Sequence, residues 1–180
     1  MNFMNKYRGV GLLTITLLLF LIYFSSTANS TKNVYPLSIS QKTDTLPQLN
    51  NEILAFVDSH LHQKVGYGEC WDLAALPLNN SNAKWDGKYV FGKLLISNKD
   101  SILPGDIIQF EGVVIKTIRG NSQITSYLEH HTAIIYKVLG YNRFTLAEQN
   151  TSNLGRKVGF SEIDLSNLVK GRYMIYRPSK

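Results

Sequence analysis

The sequence predicts an α+β fold in which N-terminal helices pack on one antiparallel sheet of about five or six strands. Three observations carry that reading. Apolar residues recur at helical spacing only in the stretch before Pro77. Beyond Pro104 the chain breaks into short β-rich runs divided by Gly and Asn turns. The helical segments all precede the strands instead of alternating with them.

The elements follow in chain order. Leu49, Ile53, Phe56, Val57 and Leu61 mark a first amphipathic helix near 48–62. Gly66 and Gly68 break it. Cys70 to Leu76 opens a second helix, which Pro77 is expected to end. Asn79 to Asp86 reads as a loop. Pro104-Gly105-Asp106 turns the chain into a strand at 107–110. Strands at 113–118 and 123–128 flank Gly120-Asn121 as a hairpin, and the stretch 111–129 reads as a flap over the cleft. His131 to Leu139 is a strand, and Gly140-Tyr141-Asn142 turns it into Arg143 to Gln149. Residues 158–160 are a short strand or loop, 164–169 a short helix or turn, and 173–176 a last strand.

The domain begins late in the chain. Lys6 and Arg8 precede an uncharged run of sixteen residues, Gly9 to Phe24, and then small polar residues. This is the order of a secretory signal, with Ser26 and Ala28 at the −3 and −1 positions of a cleavage after Ala28. The rival reading is an uncleaved anchor over 9–24, although a span needs about 20 residues. Without a Cys near the cleavage point, a lipoprotein anchor is excluded. The organisation is therefore a signal at 1–28, a Ser- and Thr-rich linker at 29–47, and one domain at 48–180. The expected localisation is secreted or periplasmic, or membrane-anchored through 9–24.

Composition bounds the partners. With 44% hydrophobic and 18% charged residues, the chain is not a disordered segment. The net charge of +6 favours an anionic partner without choosing one. Arg143, Arg156, Lys157, Lys170, Arg172 and Arg177 concentrate in the C-terminal half, either as a solvated face or as a patch for an anionic polymer. No phosphate loop and no metal-ligand spacing is present; His60 and His62, two apart on a helix, face differently. No cofactor, metal or nucleic acid is expected, and a membrane only through the N-terminal segment.

The single cysteine is the informative residue. An exported domain usually holds none or a paired set, so Cys70 is either buried and inert or chemically used. It follows the turn Gly66-Tyr67-Gly68-Glu69 and starts a helix. A helix N-terminus supplies partial positive charge and unpaired N–H groups, which lower a thiol's pKa and can hold an oxyanion. Glu69 works against the thiolate unless its carboxylate points away. Downstream, His130 and His131 start a strand. Alternation puts His131 on one face with Ala133 and Ile135, and His130 with Thr132 on the other. Glu148 and Asn150 follow on the next strand, sharing the face of Phe144 and Leu146. Either could hold an imidazole by accepting its N–H, as a Cys–His pair requires. The plain alternative is a polar strand end.

Gly-Glu-Cys-Trp, Pro-Gly-Asp-Ile-Ile-Gln-Phe, His-His-Thr-Ala-Ile-Ile and Glu-Gln-Asn, in that order over residues 50–178, resemble the CHAP domain and the broader NlpC-type papain-like peptidases. The resemblance implies a papain-like fold with Cys70 as nucleophile, His131 as base, and Glu148 and Asn150 as orienting residues. It implies an amidase or endopeptidase working through a thioester, with peptidoglycan peptides or another anionic wall polymer as substrate. Acyl transfer to an amine, and a non-catalytic binding module on the same fold, are the alternatives. Gln63 could donate to an oxyanion and Tyr67 could line the cleft; each also reads as an ordinary surface or packing residue.

Overall fold

The computed structural model describes residues 45–96 and 99–180. The expected signal segment, and all but the last three residues of the expected linker, lie outside them.

Two helices come first: α1 (Gln48–Ser59) and α2 (Cys70–Asn80). Six strands follow: β1 (Lys93–Leu94), β2 (Ile107–Arg119), β3 (Ser122–Gly140), β4 (Arg143–Glu148), β5 (Gly159–Asp164) and β6 (Leu168–Arg177), with a 3-10 turn at Leu165–Asn167. They form one sheet in the order β1-β6-β2-β3-β4-β5, antiparallel throughout. The α+β class and the strand number are those read from the sequence.

Pro77 does not end α2. It stands inside the helix, which continues to Asn80. A proline there loses its own N–H bond to the carbonyl four residues earlier and crowds that carbonyl, a cost that packing has to offset. Leu78, fully buried against the core, holds the last turn in place, and the Ser81 N–H closes on the Pro77 carbonyl at 3.0 Å.

The expected strands at 107–110 and 113–118 are one strand. Its pairing with β3 keeps register from Ile107–Ile134 to Arg119–Ser122. Gly112, at φ +59°, absorbs a bulge on the β6 side alone. The hairpin turns at Gly120-Asn121 as expected. The expected flap is the outer end of β2 and β3 themselves, with Ile118, Ile124 and Tyr127 exposed. β1, two residues long, carries no readable pattern.

The two sheet faces bury different residues. Ile107, Ile134, Ala147 and Tyr176 meet Leu49, Ile53, Val57, Leu73 and Leu78 of the helices. Ile108, Phe110, Ala133, Ile135, Phe144 and Leu146 form a second cluster on the opposite face. The Pro-Gly-Asp turn anchors α1 to the sheet. Asp106, fully buried, accepts from the Leu103 N–H at 2.8 Å, Asn50 Nδ2 at 2.9 Å and Arg177 Nη2 at 2.8 Å. Gly105, at φ +85°, lies against Asn50: a Cβ there would come 2.6 Å from the Asn50 carbonyl oxygen.

Candidate active site

Cys70 occupies the first position of α2, and the turn before it is closed by a carboxylate. Asp72 Oδ2 accepts the Tyr67 N–H at 2.8 Å and the Glu69 N–H at 3.0 Å. Gly66, at φ +58°, makes room: a Cβ would sit 2.8 Å from Asp72 Cγ. The acidic residues at this helix start are thus occupied away from the sulfur. The Glu69 carboxylate meets Arg156 Nη2 at 2.9 Å and accepts from Asn150 Nδ2 at 2.6 Å, so the negative neighbour does point elsewhere.

His131 is buried on β3 and lies between two partners. Its Nε2 is 2.8 Å from Glu148 Oε2. The ring also neighbours the Cys70 thiol closely enough that each group shifts the other's titration, and with Nε2 committed to Glu148 the nitrogen left for the sulfur is Nδ1. Strand alternation places the Glu148 contact: His131, Ala133 and Ile135 share a face, as do Phe144, Leu146 and Glu148, and the β3–β4 ladder aligns the two rows. The Phe110 ring stacks on the imidazole at 6.3 Å between centroids.

The sheet also supplies backbone to the sulfur. The N–H and C=O of Ile135 bond toward Asp106 and Gly105 on the β2 side, so the polar groups of Ile134 and Thr132 face β4. Pairing with β4 stops at Ile134–Ala147. The Thr132 N–H faces the gap there, and with the Trp71 N–H it favours the charged form of the Cys70 sulfur. The Thr132 hydroxyl meanwhile donates to Gln109 Oε1 at 2.6 Å on the other face.

These contacts shift both groups. Burial pushes the Cys70 thiol up, but the bond to His131, the N–H groups of Thr132 and Trp71 and the imidazolium charge outweigh it, and the thiol stands below its ordinary 9.0. Burial pushes His131 down, but Cys70 and Glu148 outweigh that and raise it from 6.5 to about 9. The arrangement shifts both groups toward their charged forms, a thiolate beside an imidazolium.

The other sequence candidates fall elsewhere. Asn150 does not reach His131. β4 ends at Glu148 and Asn150 adopts φ +62°, so strand alternation no longer governs it and its amide goes to Glu69. Gln63 Nε2 donates to the Ser59 carbonyl at 3.3 Å and is exposed; Tyr67 projects into solvent. His130 lies on the other face, 2.9 Å from Glu111 and edge-on to Tyr89. The C-terminal basic residues do not act as one free set, since Arg156 pairs with Glu69 and Arg177 with Asp106. Sequence reasoning missed Asp72 and Gln149. An acid two residues into a helix after a glycine turn is a signal for Asp72. Gln149 had only its strand parity.

The chain matches, over residues 36–180, the family model described as the AIM3/BBC1 cysteine proteinase-fold domain. It is 30% identical over 171 residues to "Altered inheritance of mitochondria protein 3" of Debaryomyces hansenii, a match covering 79% of this chain and 18% of that protein. The chain therefore spans less than a fifth of this curated relative. Among solved structures it is similar to Ly7917, with TM-score 0.43 and 20% identity over 71% of this chain and 62% of that one. It is also similar to Ly7917 with the hydrolyzing product of MDP, with TM-score 0.44 and 22% identity over 72% and 63%. At these scores nothing about this chain's chemistry follows from the two likenesses.

The relative corrects one expectation. It is a yeast protein named for the inheritance of mitochondria, an intracellular process, and on that finding the expected secreted, periplasmic or membrane-anchored localisation is withdrawn. That expectation rested on local order alone, two basic residues before an uncharged sixteen-residue run and small polar residues, a run shorter than the roughly 20 residues that a membrane span needs. The match over most of the chain, including both helices and all six strands, means that this protein belongs to the AIM3/BBC1 cysteine proteinase-fold domain family.

Proposed function

We propose that this domain is a cysteine-dependent amidohydrolase or acyltransferase, with Cys70 as nucleophile, His131 as acid–base and Glu148 as the residue that holds the imidazole. The observation that carries the reading is the grouping of Cys70, His131 and Glu148: Glu148 holds the imidazole at 2.8 Å, and the neighbouring thiol and imidazole shift each other, the thiol lowered and the imidazole raised. The Cys70 thiolate attacks an amide carbonyl. The first turn of α2 offers backbone N–H groups to the developing oxyanion. The His131 imidazolium protonates the leaving amine, a thioester forms on Cys70, and water or a second amine releases the acyl group. The motif likeness to CHAP and NlpC-type domains supports amide chemistry of this kind.

The substrate we propose is a peptide or protein amide. Peptidoglycan stem peptides, the substrate implied by the motif likeness, remain one arm of the test. The purified chain and Cys70→Ser would be offered an activated ester, a fluorogenic peptide library and peptidoglycan peptides. A thioester trapped on Cys70 by mass spectrometry in the unmodified chain, absent from Cys70→Ser, is the expected result. A chain whose thiol alkylates like free cysteine and never acylates would instead support the binding-module reading.

A further inference from the structure

We propose that Gln149 is a positioning residue that sets the Cys70 peptide against His131, so that two consecutive residues of one strand end hold the two halves of the reactive pair. Glu148 and Gln149 are neighbours, 3.8 Å apart at Cα by the fixed geometry of a trans peptide. They point to opposite faces. Glu148 lies with Phe144 and Leu146 and takes the imidazole. Gln149 follows the parity of Ala147, toward the helices, and is fully buried.

All of its bonds go to the nucleophile loop. Its Nε2 donates to the Val65 carbonyl at 2.9 Å and to the Glu69 carbonyl at 2.7 Å, and its Oε1 accepts the Val65 N–H at 3.1 Å. The Glu69 carbonyl is the other end of the planar peptide unit that carries the Cys70 N–H. Gripping that oxygen fixes where the first peptide of α2 sits, and with it the root of the Cys70 side chain. The helix sets the direction of this peptide. Gln149 sets its place relative to β4, and β4 carries the group that holds His131.

The inference rests on reading Cys70 and His131 as a working pair, but its test needs no substrate. Alkylation of Cys70 by iodoacetamide, measured against pH, reads how closely the thiol and imidazole meet. Gln149→Met keeps the volume and removes all three bonds. It should move the alkylation midpoint upward by about one unit, the lower end of what loss of a close opposite charge does to an acid. Gln149→Glu keeps the acceptor for Val65 and loses both donors; it is the second variant should the first fail to fold, with the same result expected. Ile53→Ala, in the α1 core, destabilises without touching the loop and should leave the midpoint in place. A midpoint unmoved in either Gln149 variant, or moved equally by Ile53→Ala, overturns the proposal. If the unmodified chain alkylates as an ordinary thiol, the nucleophile reading falls and hydrogen exchange decides this one. Gln149→Glu should then speed exchange in Val65–Cys70 at least tenfold and spare α1; unchanged exchange overturns the proposal.

Discussion

His131 Nε2 lies 2.8 Å from Glu148 Oε2 in a pair of buried side chains. That contact commits one ring nitrogen to a carboxylate and leaves the other for Cys70. Loss of the imidazole should therefore be felt at the sulfur. His131→Ala is expected to slow neutral-pH alkylation and any acyl turnover by about a hundredfold or more, the lower range for a lost acid–base group. His130→Ala, which breaks a bond to Glu111 on the other face, should stay within a few-fold. Rates measured side by side with iodoacetamide check it, and equal losses would mean that the strand parity has been misread.

Replacing Glu148 by Gln keeps the hydrogen bond in reach and removes the charge. The carboxylate helps hold His131 up near 9, so the imidazole of Glu148→Gln should titrate lower, toward its ordinary 6.5. The alkaline limb of the activity profile should move down with it, while activity at pH 6 suffers least. An unmoved limb would count against the charge of Glu148 as the cause.

The pair has its own pH window. His131 is raised on folding, so its contribution to stability is full below 6.5 and is lost as pH rises through about 9. Cys70 is lowered, so its contribution is present above the unfolded value of about 9 and fades as pH falls through its folded value. The thiolate–imidazolium form is thus bounded on the acid side by the cysteine and on the alkaline side by the histidine. A bell-shaped turnover profile is expected, with the upper limb near 9; a profile still rising above pH 10 would exclude an imidazolium donor.

Cys70→Ser should abolish alkylation and change the melting temperature little, because the thiol is only half-buried and packs no core. Thermal melts beside mass-spectrometric labelling test this. A large drop in stability with no labelling of the unmodified chain would point to a structural cysteine.

The stability of the domain should depend far more on Asp106. Its carboxylate is wholly buried and takes Arg177 at 2.8 and 3.0 Å. Arg177→Leu strands that charge and should cost about 3–5 kcal/mol, read by chemical denaturation. A cost under 1 kcal/mol would show that Asn50 and the Leu103 N–H suffice.

The parts of this protein that a period reveals were legible in the sequence. Leu49, Ile53 and Val57 gave α1 its face, the Gly120-Asn121 turn gave the long hairpin, and the parity of His131 with Ala133 put His131, not His130, on the face of Glu148. What depended on where a strand stops was not legible. Alternation continued past β4 would put Asn150 on the face of Glu148, but the strand ends at Glu148 and the left-handed backbone of Asn150 sends its amide to Glu69. Pro77 misled for a related reason: a local rule for ending helices yielded to the burial of Leu78. The three bonds of Gln149 each cross 80 residues of chain or more, a separation at which no local pattern speaks.

The shared strand end constrains how this domain can change over generations. Because Glu148 and Gln149 face opposite sides, inserting or deleting one residue within β4 would trade them across the sheet. The amide would meet the imidazole and the carboxylate would meet the Val65 and Glu69 carbonyls. Every atom type would survive and both functions would be lost at once. The count of residues in this one short strand cannot drift.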